Sequence, residues 1–290
     1  MSKRFAIVVC YYPVIDRLRA LVDSVSENAR VIVVDNTPSS GIVSIENCFQ
    51  VVRNNKNLGI AAAQNVGVET ALSHNAETLM FLDQDTIISS ESAAGLFSAA
   101  ECDRSCVFVP LVIDARSGKD LPYYSITKYG FVKKTFIRDK TEQLSVHLAI
   151  SSGTTCHVDA FRRIGPMNES FFIDYVDFEW MFRAKNFGVS IKVVPCAAIF
   201  QTIGKGIKRI FGRDLVIHNA ERSYFRLRNS FWMLRLPHVP SFYAARLVCY
   251  SVINHIFMTL CADDRSAFLS VGLKAVVDGV SLSPQSRREF

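Results

Sequence analysis

Four apolar runs in the first 85 residues leave this chain few folds to choose from: FAIVVC (5–10), RVIVVDN (30–36), FQVVRN (49–54) and ETLMFLDQD (77–85). Each is strand-length, and the first is apolar at every position, the mark of a strand buried on both faces. Between the runs, DRLRALVDSV (16–25) places Leu18, Leu21, Val22 and Val25 on one helical face, and GIAAAQNVGVETAL (59–72) is an alanine-rich helix. Strand, helix, strand, strand, helix, strand predicts an α/β fold: a Rossmann-like, doubly wound, mostly parallel sheet with helices on both faces and right-handed crossovers.

In such a sheet, ligands lie beyond the carboxyl ends of the strands. Here those ends read Cys10-Tyr11-Tyr12-Pro13, Asp35-Asn36 and Asp83-Gln84-Asp85. Residues i and i+2 of an extended chain point to one side, so Asp83 and Asp85 can face one ligand. A solvated turn or a helix cap would also account for two aspartates. Ser89, Ser90 and Glu91 already supply cap chemistry for the helix that follows, however, and hard divalent cations take carboxylate oxygens. The pair is therefore read as a site for Mg²⁺ or Mn²⁺.

The second half is less regular. Residues 114–147 hold short Tyr/Phe-rich pieces and read as a loop or small hairpin. HLAISSGTTCHVDAFRRIG (147–165) predicts a strand, a small-residue turn and a short helix closed by Gly165-Pro166. FFIDYVDFEWMFRAKNFG (171–188) has an acidic start and an amphipathic helix with Gly188 past its end, and VSIKVVP (189–195) is a further strand. HNAERSYFRLRN (218–229) sets Arg222, Arg226 and Asn229 on one helical stripe with Arg228 beside it.

Charge divides the chain. Residues 1–200 carry 20 Lys+Arg against 21 Asp+Glu, whereas residues 201–290 carry 13 against 6. An α/β domain over 1–200 and a basic helical C-terminal region over 201–290 are expected. A basic tail suits nucleic acid, an acidic membrane face or a diphosphate. FYAARLVCYSVINHIFMTLCA (242–262) is apolar but contains Arg246, Asn254 and His255, which a spanning helix would bear at high cost. It suits an amphipathic helix lying on a membrane, and nearly as well one packed on the domain or on a second copy in a homo-oligomer. The eight cysteines are scattered, with no pairing that reads as a zinc site. The apolar stretch after the basic start is too short for a signal-peptide core, so a cytoplasmic location is expected.

The pieces VVCYYP, VIVVDN, NNKNLGIAAAQNVGV, FLDQD, SSGTTCHVDAFRRIGPMNESFFIDYVDFEWMFRAKNFG and ERSYFRLRN, in this order, resemble a family 2 glycosyltransferase of the GT-A fold in its rhamnosyltransferase-like branch. The resemblance spans roughly residues 5–235 and implies inverting, metal-dependent transfer of a sugar. L-rhamnose from dTDP-L-rhamnose is the first expectation and a UDP-sugar such as UDP-galactofuranose the second. The acceptor would be a glycan or polyprenyl-linked glycan of a bacterial surface polysaccharide, at the cytoplasmic face of the membrane. By the same resemblance Asp35 reads the imide N–H of uracil or thymine. Gly59 and Asn65 line the donor, Asp83 contacts the ribose or a metal-bound water, and Asp85 holds the metal. Asp177 is the catalytic base, Glu179 the acid two positions on, and Arg226 and Arg228 meet the diphosphate. Many relatives have a histidine in the segment that reads FQTIG here, so Gln201 stands in its place and His218 becomes a candidate metal or diphosphate ligand.

Two rival classes are weaker. A nucleotidyltransferase usually shows a Gly-rich loop with Arg or Lys near its start, and VVCYYPVIDRL has none. A non-enzymatic polyanion binder would use the basic tail but leaves the convergent aspartates unexplained, and no nucleic-acid partner is expected.

Overall fold

The structure is a computed structural model. It describes residues 3–38, 41–42, 44–127, 129–137, 143–202 and 219–284, with backbone strands at 207–210 and 213–216. The predicted elements form as β1 (Arg4–Cys10), α1 (Ile15–Ser26), β2 (Arg30–Asp35), β3 (Gln50–Arg53), α2 (Ile60–Ser73) and β4 (Thr78–Asp83). The strands order β3-β2-β1-β4, all parallel, with Val9 level with Asp83 and Cys10 level with Asp35. Ala6, Ile7 and Val8 are all fully buried, so both faces of β1 are covered.

Next come β5 (Ile87–Ile88), α3 (Ser90–Cys102) and β6 (Val107–Asp114). Ser89 caps α3 by accepting the Ser92 N–H (3.2 Å), so the aspartates upstream are not needed for that task. The expected small hairpin is β7 (Tyr123–Ile126) paired with β8 (Val132–Thr135), and β9 (Leu144–Val146) follows. In the next segment the strand comes after the small-residue turn rather than before it. β10 (Thr155–His157) runs antiparallel between β4 and β6 and leads into α4 (Val158–Ile164).

A 3₁₀ turn (Glu169–Phe171), α5 (Val176–Asn186) and β11 (Ile191–Gln201) complete the main sheet, β11 lying parallel to β6. The strand expected to stop at Pro195 instead continues to Gln201. Its register against β6 shifts between Val194 and Ala198, a bulge that accommodates a proline with no N–H to donate. After the short pair β12 (Ile207–Ile210) and β13 (Arg213–Val216) come three helices, α6 (Ala220–Arg235), α7 (Ser241–Cys261) and α8 (Arg265–Ser281). The boundary expected at residue 200 falls inside β11.

Candidate active site

The carboxyl end of β4 carries the acidic pair. Gln84 bridges it to the end of β1, its Oε1 accepting the Tyr11 N–H (2.7 Å) and its Nε2 donating to the Tyr11 carbonyl (3.2 Å). The Asp83 N–H donates to Ser152 Oγ (3.2 Å), and Gln201 Nε2 donates to Asp83 Oδ2 (2.8 Å). Gln201 thus reaches the acidic pair only because β11 runs on past its bulge. Asp85 is exposed. Burial raises the Asp83 carboxyl above the ordinary aspartate range; the Gln201 bond opposes this and the neighbouring Asp85 charge adds to it.

Asp177 lies in the first turn of α5, within electrostatic reach of Asp83 and Asp174. Burial pushes its carboxyl up to about 7; the Phe178 N–H works against the shift, and the two aspartate charges reinforce it. That value suits a general base at neutral pH. The segment before it is unusual. Phe172, Asp174 and Tyr175 all have φ between +62° and +64°, a region non-glycine residues seldom occupy. Helix α6 holds this turn. Asn229 Nδ2 donates to the carbonyls of Phe171 (2.8 Å), Ile173 (2.8 Å) and Asp174 (3.0 Å). Arg222 makes a two-pronged pair with Asp174 (3.0 Å each), and its charge reaches Asp83.

Several residues sit otherwise than expected. Glu179 is 2% exposed and points into the protein. It accepts from Arg183 Nε and Nη2 (2.9 Å each) and pairs with His238 Nε2 (3.0 Å), which together lower its pKa despite burial. It anchors α5 and does not face the acidic group. Arg228 is buried over the Trp232 ring (3.9 Å), donating to the Ser170 carbonyl (2.8 Å) and to Asn229 Oδ1 (2.8 Å). It orients the Asn229 amide and is not available to a diphosphate. Asn65 exchanges bonds with the Met167 backbone (2.9 Å each way), tying α2 to the segment after α4 instead of lining a donor. Gly59 is required by the protein itself: at φ +81° its missing Cβ would lie 2.6 Å from the Phe172 ring and carbonyl.

Asp35 is 1% exposed, and its oxygens accept the N–H groups of Thr37 (2.9 Å) and Ile42 (2.7 Å), closing the loop beyond β2. Arg226 is half-buried, its guanidinium 5.5 Å from the Tyr250 ring and within reach of Tyr175 and Asp174. His218 lies outside the described residues. The structure therefore brings together Asp83, Asp85, Asp174, Asp177, Gln201 and Arg222. Asp174 and Arg222 were absent from the expected set. Asp174 lies three residues before Asp177, a spacing that could have flagged it, but its partner on α6 is visible only in three dimensions.

A mostly parallel sheet with acidic side chains gathered at its carboxyl edge is the architecture that GT-A type glycosyltransferases use. A model of glycosyl transferase family 2 matches residues 6–165, and the chain belongs to that family. It is 31% identical over 284 residues to the dTDP-rhamnosyl transferase RfbF of Shigella flexneri, covering 96% of each chain, and is thus a rhamnosyltransferase-like enzyme. It is 24% identical over 200 residues to the low-salt glycan biosynthesis hexosyltransferase Agl10 of Haloferax volcanii, covering 66% of this chain and 64% of that one. Among solved structures it is similar to GalNAc-T7 with UDP, GalNAc and Mn²⁺ (TM-score 0.55, 15% identity), over 98% of this chain and 59% of that one. It is also similar to S. aureus TarS 1-349 in complex with UDP-GlcNAc (TM-score 0.54, 15% identity), over 98% of this chain and 82% of that one. These structural likenesses bear on the fold.

Proposed function

We propose that this enzyme transfers L-rhamnose from dTDP-L-rhamnose, with inversion, to a hydroxyl of a glycan or polyprenyl-linked glycan acceptor at the cytoplasmic face of the membrane. The observation that carries the reading is the convergence of Asp83, which feels the charge of Asp85, with Asp177 of α5, which feels the charge of Asp83. The RfbF relative supports rhamnose, and a UDP-sugar is the alternative. Asp177 takes the proton of the acceptor hydroxyl as that oxygen attacks the anomeric carbon from the side opposite the nucleoside diphosphate, so the configuration inverts. Asp174 and the α6 clamp hold Asp177 in place, and Arg222 presents a cation toward the same space. Asp35 takes the base imide N–H on a remaining carboxylate lone pair once the backbone at Gly41 and Ile42, which now covers its Oδ2, moves aside.

Asp85 and Asp83 are the residues that would hold Mg²⁺ or Mn²⁺. Among the described residues no three His, Cys, Asp or Glu side chains form a metal cage. Two carboxylates, with the rest of the shell left to phosphate oxygens and water, nonetheless fit the habit of Mg²⁺ at diphosphate sites. Two neighbouring carboxylates, one of them raised in pKa by burial and by the other, also suit a cation between them. Bound there, the cation supplies neutralisation of the charge building on the departing diphosphate.

The test is a donor panel with and without divalent cation, read by melting temperature and turnover. dTDP- or UDP-sugars with Mg²⁺ or Mn²⁺ should raise the melting temperature, whereas GDP- and CDP-sugars should not. Asp85→Ala should abolish the cation-dependent part and most turnover. Full activity of that variant, or of the parent in excess chelator, would overturn the assignment.

A further inference from the structure

The hairpin β7–β8 plays no part in the chemistry above, yet its surface is unusual. From Tyr123 to Thr135 the sequence carries Lys128, Lys133 and Lys134 and no carboxylate. Lys133 and Lys134 are exposed on β8. Beside them three large aromatic side chains face solvent: Tyr129 (65% exposed), Phe131 (57%) and Phe136 (59%). A solvated hairpin gains nothing from three exposed aromatic rings in a stretch this short.

The hairpin tip is seated on the start of α7. The Phe131 ring lies 5.1 Å from that of Phe242, itself 49% exposed. Gly130, at φ +82°, lets the tip approach: a Cβ there would stand 2.7 Å from the Tyr243 N–H nitrogen. The surface continues along α7, where Phe242, Arg246, Tyr250 and Ile253 are exposed at helical spacing. It also flanks the base side of the active site. The buried Tyr243 is within electrostatic reach of Asp177 and Tyr175 on one side and of Tyr124 of β7 and Arg246 on the other.

The charge distribution decides what covers this surface. The apolar stretch 236–277 carries three basic residues, Arg246, Arg265 and Lys274, against two acidic ones, Asp263 and Asp264. Those helices alone give an anionic surface little to attract. The hairpin supplies the missing cations: Lys133 and Lys134 point to the two faces of β8, and the exposed Phe131 and Phe136 flank that strand in sequence. Rings that sit at headgroup level, with lysines whose stems lie along apolar surface and whose heads reach phosphate, are the side-chain chemistry of a membrane interface. A neutral glycan would not need the lysines, and a second copy of this chain would bring like charge against like.

We propose that β7–β8 and the N-terminal half of α7 form one docking surface for an anionic phospholipid bilayer, presenting the Asp177 side of the site to acceptors at that bilayer. The inference rests on the functional reading above only for the purpose of the surface, not for its existence.

The experiment is co-sedimentation of the full chain with vesicles of phosphatidylcholine alone or with added phosphatidylglycerol, at low and high salt. The parent should bind the phosphatidylglycerol vesicles at low salt and leave them at high salt, because the attraction is screened. Lys133→Gln with Lys134→Gln should weaken that binding by roughly 30-fold, at about 1 kcal/mol for each lysine near the surface. Phe131→Ser should weaken binding to the same vesicles while its melting temperature stays near the parent's. The paired change Leu269→Gln, Leu273→Gln on α8 should leave binding as it is. Donor-induced melting shifts, measured on the same samples, should be equal in the parent and the lysine variant. The proposal is overturned if the parent ignores phosphatidylglycerol, or if the lysine variant binds as the parent does. It is also overturned if light scattering shows a parent dimer that Phe131→Ser splits, or if a soluble glycan competes the vesicles off. A parent that shows no donor response yet binds vesicles as described would sink the functional reading and leave the surface standing.

Discussion

Asp177 and Glu179 are two positions apart in the sequence, yet they do unrelated work. On a helix two residues differ by about 200° around the axis, so one faces the acidic group and the other the interior. The extended-chain rule expected of Asp83 and Asp85 does not apply to that pair either, because Gln84 and Asp85 lie in a turn closed by the Thr86 N–H on the Asp83 carbonyl (3.1 Å). The separation of Asp177 from Glu179 makes the two substitutions diagnostic. Asp177→Asn should keep the melting temperature and donor affinity but lower kcat by roughly 10²–10⁴, the usual size of a lost general base. In the parent, kcat should fall as pH drops through about 7, where the Asp177 carboxyl becomes protonated and cannot accept the acceptor's proton. Stopped assays from pH 5 to 9 (about two units either side) would show this limb, and a flat profile would remove Asp177 from the role. Glu179→Gln should act on stability. It leaves Arg183 and His238 facing a neutral amide in a buried setting, at a cost of about 3 kcal/mol, visible as a lower denaturation midpoint. A stable but inactive Glu179→Gln would return it to the chemistry.

At the scale of elements, α6 is the piece that holds the site together. A turn with three left-handed non-glycine residues costs of order 1–3 kcal/mol per residue, and it persists only where surrounding groups over-determine it. Asn229 collects three of its carbonyls, Arg228 fixes the amide's orientation, and Phe225 stacks on Phe172 with ring centroids 4.4 Å apart. Asn229→Asp keeps the volume and replaces the donor with oxygen, so the carbonyls lose their partner. We expect a loss of at least about 2 kcal/mol in stability. Turnover should fall more than donor affinity, since the turn carries Asp174 and leads to Asp177. Calorimetry beside donor titration checks both, and an Asn229→Asp protein with parental stability would show that the turn is held from elsewhere. The bulge in β11 works at the same scale: it carries the strand past Pro195 and so delivers Gln201 to Asp83.

For the whole molecule, the division at residue 200 marks a change in composition more than a seam in the packing. The left-handed turn at 171–175 lies before it and the α6 residues that hold that turn lie after it, and Tyr175 reaches further still to Ser251 on α7 (3.0 Å). A chain ending at Thr202 should therefore show no donor-dependent rise in melting temperature, although it contains Asp83, Asp85 and Asp177. A normal donor response from that shortened chain would make the C-terminal helices an appendage. Much of the architecture was legible in the amino-acid sequence, because strand period, helix period and the polar residues that end each strand are local properties. β1 to β4 and the acidic pair could be read that way, and so could the acidic start of α5. The roles of the tail's arginines could not. Arg222, Arg226 and Arg228 look alike on a helical stripe. Only packing against the turn at 171–175 sends Arg222 to Asp174 and buries Arg228 against Trp232, because a guanidinium's role depends on which carboxylate, carbonyl or ring the fold brings within a few ångströms.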